Sequence, residues 1–170
     1  MLLQEIINAP PLPYKWLTTN TCSFVFNNTS FGIVLEPMML TLVGGKQISI
    51  VNISFGVVKD INQPISPKNL NLNLTGFGSP RTVMSTVAAA CTDNKTMRTY
   101  DMFVVAASEQ VTRRVGMYTL AISQLDTNLH DLYKFSYRAH TPNGTTLIVS
   151  SKIELSQEEI EYVGKEILGK

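Results

Sequence analysis

Apolar positions in the first half of the chain follow the two-residue period of β-strands. Phe, Val and Ile are concentrated in Ser23–Phe26, Phe31–Glu36 and Gln47–Lys59. Two pairs of turn-forming residues, Asn27-Asn28 and Gly44-Gly45, separate these three segments. Such pairs between β-rich runs are typical of tight hairpin turns. The pattern therefore predicts three consecutive strands joined by short turns.

The third of these strands changes phase part-way along. Ile48 and Ile50 alternate in one phase, whereas Val51, Ile53 and Phe55 alternate in the other. A β-bulge near Ile50 would produce this change, because it adds one residue to one strand of a pair. Burial of the strand on both faces would produce it as well. The sequence leaves both explanations open.

A helix is predicted to begin at Ser79-Pro80. Serine is a favoured N-cap, and proline suits the first helical position because its missing N–H would be unpaired there anyway. Val83, Val87 and Cys91 recur at helical spacing after this start. We therefore expect these side chains, including the Cys91 thiol, to face the core.

Two further helices follow in the second half. The buried strand Tyr100–Ala107 is predicted to end at Ser108, which caps a helix carrying Glu109 in its first turn, where a carboxylate favours the helix dipole. The segment Ser156–Glu159 is a capping box, with Ser and Glu spaced to satisfy free backbone N–H groups. It predicts a packed C-terminal helix.

The order of elements predicts an α+β fold. Asp131–Ala139 and Thr145–Lys152 are expected to form a hairpin, which adds two strands to those described above. We predict a mostly antiparallel sheet with two or three helices packed on one face. Residues 18–170 are predicted to form a single domain, and residues 1–17 an extended N-terminal arm.

The N-terminal arm combines prolines with apolar side chains that would have to be buried against another surface. Pro10, Pro11 and Pro13 forbid a helix and favour extended backbone. We expect the arm to pack on a partner subunit or across the sheet edge. The side chains predicted to make this contact are apolar: Leu2, Leu3, Ile6, Ile7 and Trp16.

Composition and charge exclude several functional classes. Lys and Arg total 14 against 13 Asp and Glu, and this balance differs from that of a polybasic nucleic-acid coat or an acidic tail. Charged residues make up 16% of the chain, below the roughly 25% of typical domains, which leaves neutral surface for a partner to cover. No secretory signal is predicted, because the N-terminus has no basic region and its apolar run is broken by Gln4 and Glu5. No membrane span is predicted, because no apolar run reaches about 18 residues.

The residues that usually carry catalysis or metals are not grouped in the sequence. Cys22 and Cys91 are far apart and lack the spacing of a zinc site. Two reduced thiols are predicted, as is usual in a cytosolic protein, and a disulfide between them is the alternative. His130 and His140 are placed at opposite ends of a predicted strand and would not easily share a metal. We expect no cofactor and no catalytic set.

Two clusters could bind an anion or a partner. Ser79 and Arg81 lie at a helix start after a glycine turn, where free N–H groups can hold an anion; an ordinary strand-to-helix turn is the alternative. The second cluster falls on one and a half turns of the next helix, where Arg side chains could bind a phosphate or a carboxylate or pair with a neighbouring subunit. Its members are Ser108, Glu109, Arg113 and Arg114.

The last predicted hairpin does not have the pattern of a surface on which nucleic-acid bases stack. Tyr133, Phe135 and Tyr137 are in one phase of its first strand, whereas Lys134 and Arg138 are in the other. Base stacking needs aromatic and basic groups together on one face. The aromatic residues are therefore predicted to belong to the core.

Two blocks resemble small proteins encoded by tailed bacteriophages. The first block is Thr75–Val87, and the second is Phe103–Glu109 followed by Arg113–Tyr118. In those proteins a similar strand carries a Ser-Ala pair and an acidic residue, followed by Arg-Val and a helical Tyr. The resemblance implies a similar strand-and-helix arrangement and a phage setting. It implies no activity.

Together these features predict a non-enzymatic phage or viral protein that acts through protein–protein contacts. It would be a virion component or an accessory factor in the infected cell, located in the virion or the host cytoplasm. The expected partner is a second copy of the chain or another phage or host protein. The alternative is a nucleotide or nucleic-acid binding protein that uses Arg81, Arg113 and Arg114. An enzyme with a hidden site is a third hypothesis.

Overall fold

The computed structural model describes residues 10–71, 80–108, 132–140 and 145–168. Eight strands form one sheet in the order β1-β2-β3-β4-β6-β8-β7, and β5 pairs with β4 beside this path. The strands are β1 (Tyr14–Trp16), β2 (Thr21–Phe26), β3 (Thr29–Thr41), β4 (Gln47–Val58), β5 (Leu70–Asn71), β6 (Met102–Ser108), β7 (Phe135–His140) and β8 (Thr145–Ser151). Two α-helices are described, α1 (Pro80–Asp93) and α2 (Gln157–Leu168). The α+β class and the mostly antiparallel sheet are confirmed.

The β3–β4 hairpin is the longest pair of the sheet. Its pairing is continuous from Phe31↔Val57 to Thr41↔Gln47, with no residue inserted. The bulge explanation is therefore wrong, and β4 is instead buried on both faces. β3 also continues five residues beyond the predicted end at Glu36, through Pro37 to Thr41.

The turns are formed by the residues that the sequence indicated. Asn27 and Asn28 between β2 and β3 have φ of 51° and 62°, and Gly44 and Gly45 between β3 and β4 have φ of 103° and 89°. At Asn27-Asn28, positive φ at both central residues of a two-residue turn matches the twist of paired strands. Gly44 and Gly45 are the last two residues of a three-residue turn that begins at Val43, since Leu42 pairs with Lys46. Asn and Gly adopt positive φ at low cost.

One strand pair in the sheet is parallel. Residues Ile50–Ile53 of β4 run alongside Met102–Val105 of β6, and every other pair within the described ranges is antiparallel. Parallel neighbours need a crossover connection, which here contains α1. This connection places α1 against the sheet.

One face of the sheet, which we call the α1 face, carries the larger core. Val51, Ile53 and Phe55 of β4 point to this face. From α1, five buried side chains join the same cluster: Val83, Met84, Val87, Ala90 and Cys91. The predicted inward stripe of this helix, with Cys91 on it, is confirmed.

The opposite face, the α2 face, is covered by the C-terminal helix. Ile48 and Ile50 of β4 point to it and pack in one cluster with Ile160 and Val163 of α2. The prediction that the helices pack on one face is therefore wrong for α1 and α2, which lie on opposite faces. An apolar stripe determines which side of a helix is buried, but not which face of the sheet covers it.

The helix α2 lies close to the sheet at Gly164. A Cβ built there would be 2.7 Å from the Cβ of Ala139 on β7, which cannot rotate away. We expect Gly164→Ala to destabilise the protein by about 1–3 kcal/mol through overpacking, although alanine itself favours a helix. Adding Ala139→Gly should restore stability. Chemical denaturation of both variants measures this, and a stabilising single substitution would contradict the close contact.

Both cysteines are buried free thiols on the α1 face, so the prediction for Cys91 is confirmed. Burial raises the pKa of the Cys91 thiol to about 12 and that of Cys22 to about 11. A pKa raised in the folded state gives stability that is present at low pH and is lost as pH rises. Between the pKa of an unfolded thiol, about 8.5, and these values, each thiol should lower the free energy of unfolding by about 1.4 kcal/mol per pH unit.

This alkaline loss of stability can be measured by urea unfolding at a series of pH values. The Cys91→Ala variant should lose stability more gradually than the unaltered protein, because one of the two titrating thiols is gone. Identical slopes in the two proteins would show that Cys91 is not buried in the neutral form.

Candidate protein-interaction surface

Most residues of the two predicted binding clusters lie outside the described part of the chain. The structure describes Arg81 as part of the first turn of α1, and Ser108 as the last residue of β6. The clusters also contain Ser79, Glu109, Arg113 and Arg114, which fall outside the described residues. Their proposed contacts therefore stay predictions.

The predicted contact residues of the N-terminal arm divide in the same way. Leu2, Leu3, Ile6 and Ile7 lie outside the described residues. Trp16 is the last residue of β1, where it pairs with Cys22 and packs against the α1-face core.

The described part of the arm is held along α1 by polar contacts. The Leu12 backbone N–H donates to Thr86 Oγ1 at 2.9 Å, and the Tyr14 hydroxyl donates to Asp93 Oδ2 at 3.0 Å. Burial, followed by this carboxylate contact, raises the pKa of Tyr14 to about 12. Residues 12–16 thus bridge α1 and the sheet edge at β2.

The prediction that Tyr133 and Tyr137 of the last hairpin lie on the same face is wrong. Tyr133 precedes β7 and packs in the α1-face cluster, with its ring edge-on to Phe103 at 4.8 Å. Tyr137 packs with the α2-face cluster instead. The two tyrosines therefore do not share a face, because the alternation of β7 does not extend back to Tyr133.

The end of the β3–β4 hairpin is covered on one face alone. On the α2 face, Leu40, Leu42 and Ile48 are buried in the cluster that includes α2. On the other face the side chains of Met39 and Val43 are 63% and 82% exposed. No described element packs over this second face of the hairpin end.

The outer edge of β3 is also open at this end of the hairpin. β2 pairs with β3 from Thr29 to Val34, and the Leu35 N–H then donates to Asn20 O at 2.8 Å. Beyond Leu35, no strand within the described ranges pairs with this edge. We call residues Pro37–Thr41 the β3 edge segment.

The β3 edge segment and the turn after it carry no charge. From Pro37 to Gly45 the sequence contains Met, Leu, Thr, Val, Gly and Pro and no Asp, Glu, Lys or Arg. Natural sheets usually protect an open edge with charges, proline or a covering element. Pro37 supplies some protection at the start of the segment, but the residues after it are neutral and strand-forming, so they suit contact with a partner.

Sequence reasoning missed this surface. The signal was present in the uncharged stretch after Glu36 and in the proline, which occurs in sheets mainly at an edge. The predicted strand ended at Glu36, so residues 37–41 were not recognised as an extension without a neighbour.

Two other features, a metal-binding group and a membrane-spanning helix, are not found in the part of the chain that the structure describes. Its His, Cys, Asp and Glu side chains form no group of three that could hold a metal. Its helices include none with the length and apolar character to cross a membrane.

No protein-family model matches the chain, and no curated protein matches it.

Proposed function

We propose that this chain is a non-enzymatic protein of phage or viral origin that acts through protein–protein contacts and assembles with copies of itself. It serves as a virion component or as an accessory factor in the infected cell. The phage setting rests on the resemblance of the two sequence blocks. The mode of action rests on the surface of the fold.

The observation that carries this proposal is the uncharged, open end of the β3–β4 hairpin. Met39 and Val43 expose most of their side chains there, next to backbone groups that no described strand pairs. Apolar surface beside an open strand edge is costly to leave in water and favours association. The low charge of the whole chain points the same way.

Thermal unfolding at a series of protein concentrations tests the proposal. Assembly stabilises the folded state by mass action, so Tm should rise with protein concentration. Nucleotides and a short oligonucleotide should leave Tm unchanged. A Tm that is independent of concentration but rises with either ligand would contradict the proposal and favour nucleotide or nucleic-acid binding.

A further inference from the structure

We infer that two copies of this chain pair through their β3 edge segments, antiparallel about a two-fold axis at Met39, to form one continuous sheet. This inference rests on the proposed function and names both the partner and the surface. The partner is a second copy, and the contact is a strand-to-strand ladder.

The backbone of the segment offers the groups that such a ladder needs. Leu35 directs its N–H to the outer edge, as its bond to Asn20 shows. Alternate residues of a strand point their backbone groups to the same side, so Pro37, Met39 and Thr41 also face outward. Met39 and Thr41 each present one N–H and one C=O, and Pro37 presents a C=O alone.

A two-fold axis at Met39 matches these groups to one another. Met39 would exchange two N–H···O bonds with Met39 of the second copy. Thr41 would lie opposite Pro37 of the second copy, and its N–H would donate to the Pro37 carbonyl. The proline lacks an N–H, so the ladder contains four bonds and ends at both prolines.

The charge of the segment favours a copy of itself as the partner. A two-fold interface sets each surface against an identical surface, so any charge on the axis would repel its own copy. Residues 37–45 are neutral, and such repulsion is absent. A charged partner would find no complementary group in this stretch.

The exposed side chains near the segment would gain cover in this arrangement. In the register centred on Met39, the ladder stops at Thr41 opposite Pro37, because Asn20 already occupies the edge at Leu35. Val43 of one copy then lies next to the turn after β1 of the other. Leu35 is joined to the turn after β1, where Leu17 is 50% exposed. Val43, the most exposed large apolar residue described, would therefore meet an exposed leucine instead of water.

Charge variants at the axis test the inference. Met39→Lys and Met39→Glu each place two like charges together at the axis, so each variant alone should dimerise at least tenfold more weakly than the unaltered protein. An equimolar mixture should recover dimers, because Lys then lies opposite Glu. Sedimentation velocity of the two variants and of their mixture provides the measurement.

Two further variants complete the experiment. Val25→Lys adds the same charge at a residue of similar exposure, 59%, on β2, and it should leave the dimer unchanged. Thr41→Pro removes one outward N–H while keeping the pairing with β4, and it should weaken the dimer. Circular dichroism of each variant checks that it is folded.

The outcomes separate this inference from the proposed function. If the unaltered chain assembles and both Met39 variants assemble equally well, the β3 edge is not the interface, although self-assembly stands. If both variants dissociate but their mixture does not recover, the Met39 register is wrong. If the unaltered chain is a monomer at every concentration, both the inference and the proposed function fail.

Discussion

Replacing Ile160 by alanine is expected to lower the free energy of unfolding by about 2–5 kcal/mol. Ile160 lies on the inner face of α2 and is buried in the cluster that contains Ile48 and Ile50 of β4. The substitution removes three carbon atoms from a packed site, and the loss includes both the transfer of those atoms and the cavity that remains. Urea denaturation monitored by circular dichroism measures the change.

The neighbouring residue supplies a matched control for this prediction. Glu161 is exposed on the same turn of α2, so Glu161→Ala should change stability by no more than about 0.5 kcal/mol. If Ile160→Ala were as mild as Glu161→Ala, α2 would not be packed on the sheet. The α2-face core would then need another cover.

Replacing Asp101 by alanine is expected to lower the free energy of unfolding by about 1.5–3 kcal/mol. Asp101 immediately precedes β6, and its carboxylate accepts bonds from the Ser49 N–H at 2.8 Å and the Ser49 hydroxyl at 3.2 Å. Its own N–H donates to the Ser49 carbonyl at 2.9 Å. These bonds hold the start of β6 against β4, where the parallel pairing of these two strands begins.

The Asp101→Asn variant separates geometry from charge. Its amide oxygen can still accept from the Ser49 N–H, so it should be less destabilising than Asp101→Ala. The Ser49→Ala variant removes the hydroxyl alone and should be mild, because the backbone bonds persist. Equal stability of Asp101→Ala and the unaltered protein would show that this contact does not contribute to the fold.

Local features of the fold were predictable from the sequence. The turns at Asn27-Asn28 and Gly44-Gly45 and the inward stripe of α1 follow from short-range chemistry, and the structure confirms them. The phase change in β4 was visible as well. Its cause was not, because burial on both faces depends on helices far away in the sequence.

The arrangement of the helices could not be read from their sequences. The stripes of α1 and α2 each predict one buried side, and both predictions are correct. The face of the sheet that each helix covers depends on the connections between strands. The parallel pairing of β4 with β6 depends on such a connection, and no local sequence pattern predicts it.

The candidate surface depends on a difference in strand lengths. β3 has 13 residues and its neighbour β2 has six, so the end of β3 extends beyond its partner. The low fraction of charged residues predicted that some of the surface would be neutral. Locating the neutral surface at Pro37–Thr41 required knowing where β2 ends relative to β3, which is a property of the paired sheet.

The mass of the unaltered protein in solution tests the central claim most directly. Sedimentation equilibrium over a wide range of concentrations should give a particle of twice the 18.8 kDa chain mass, with dissociation at the lowest concentrations. A particle of single-chain mass at every concentration would contradict self-assembly through an open strand edge.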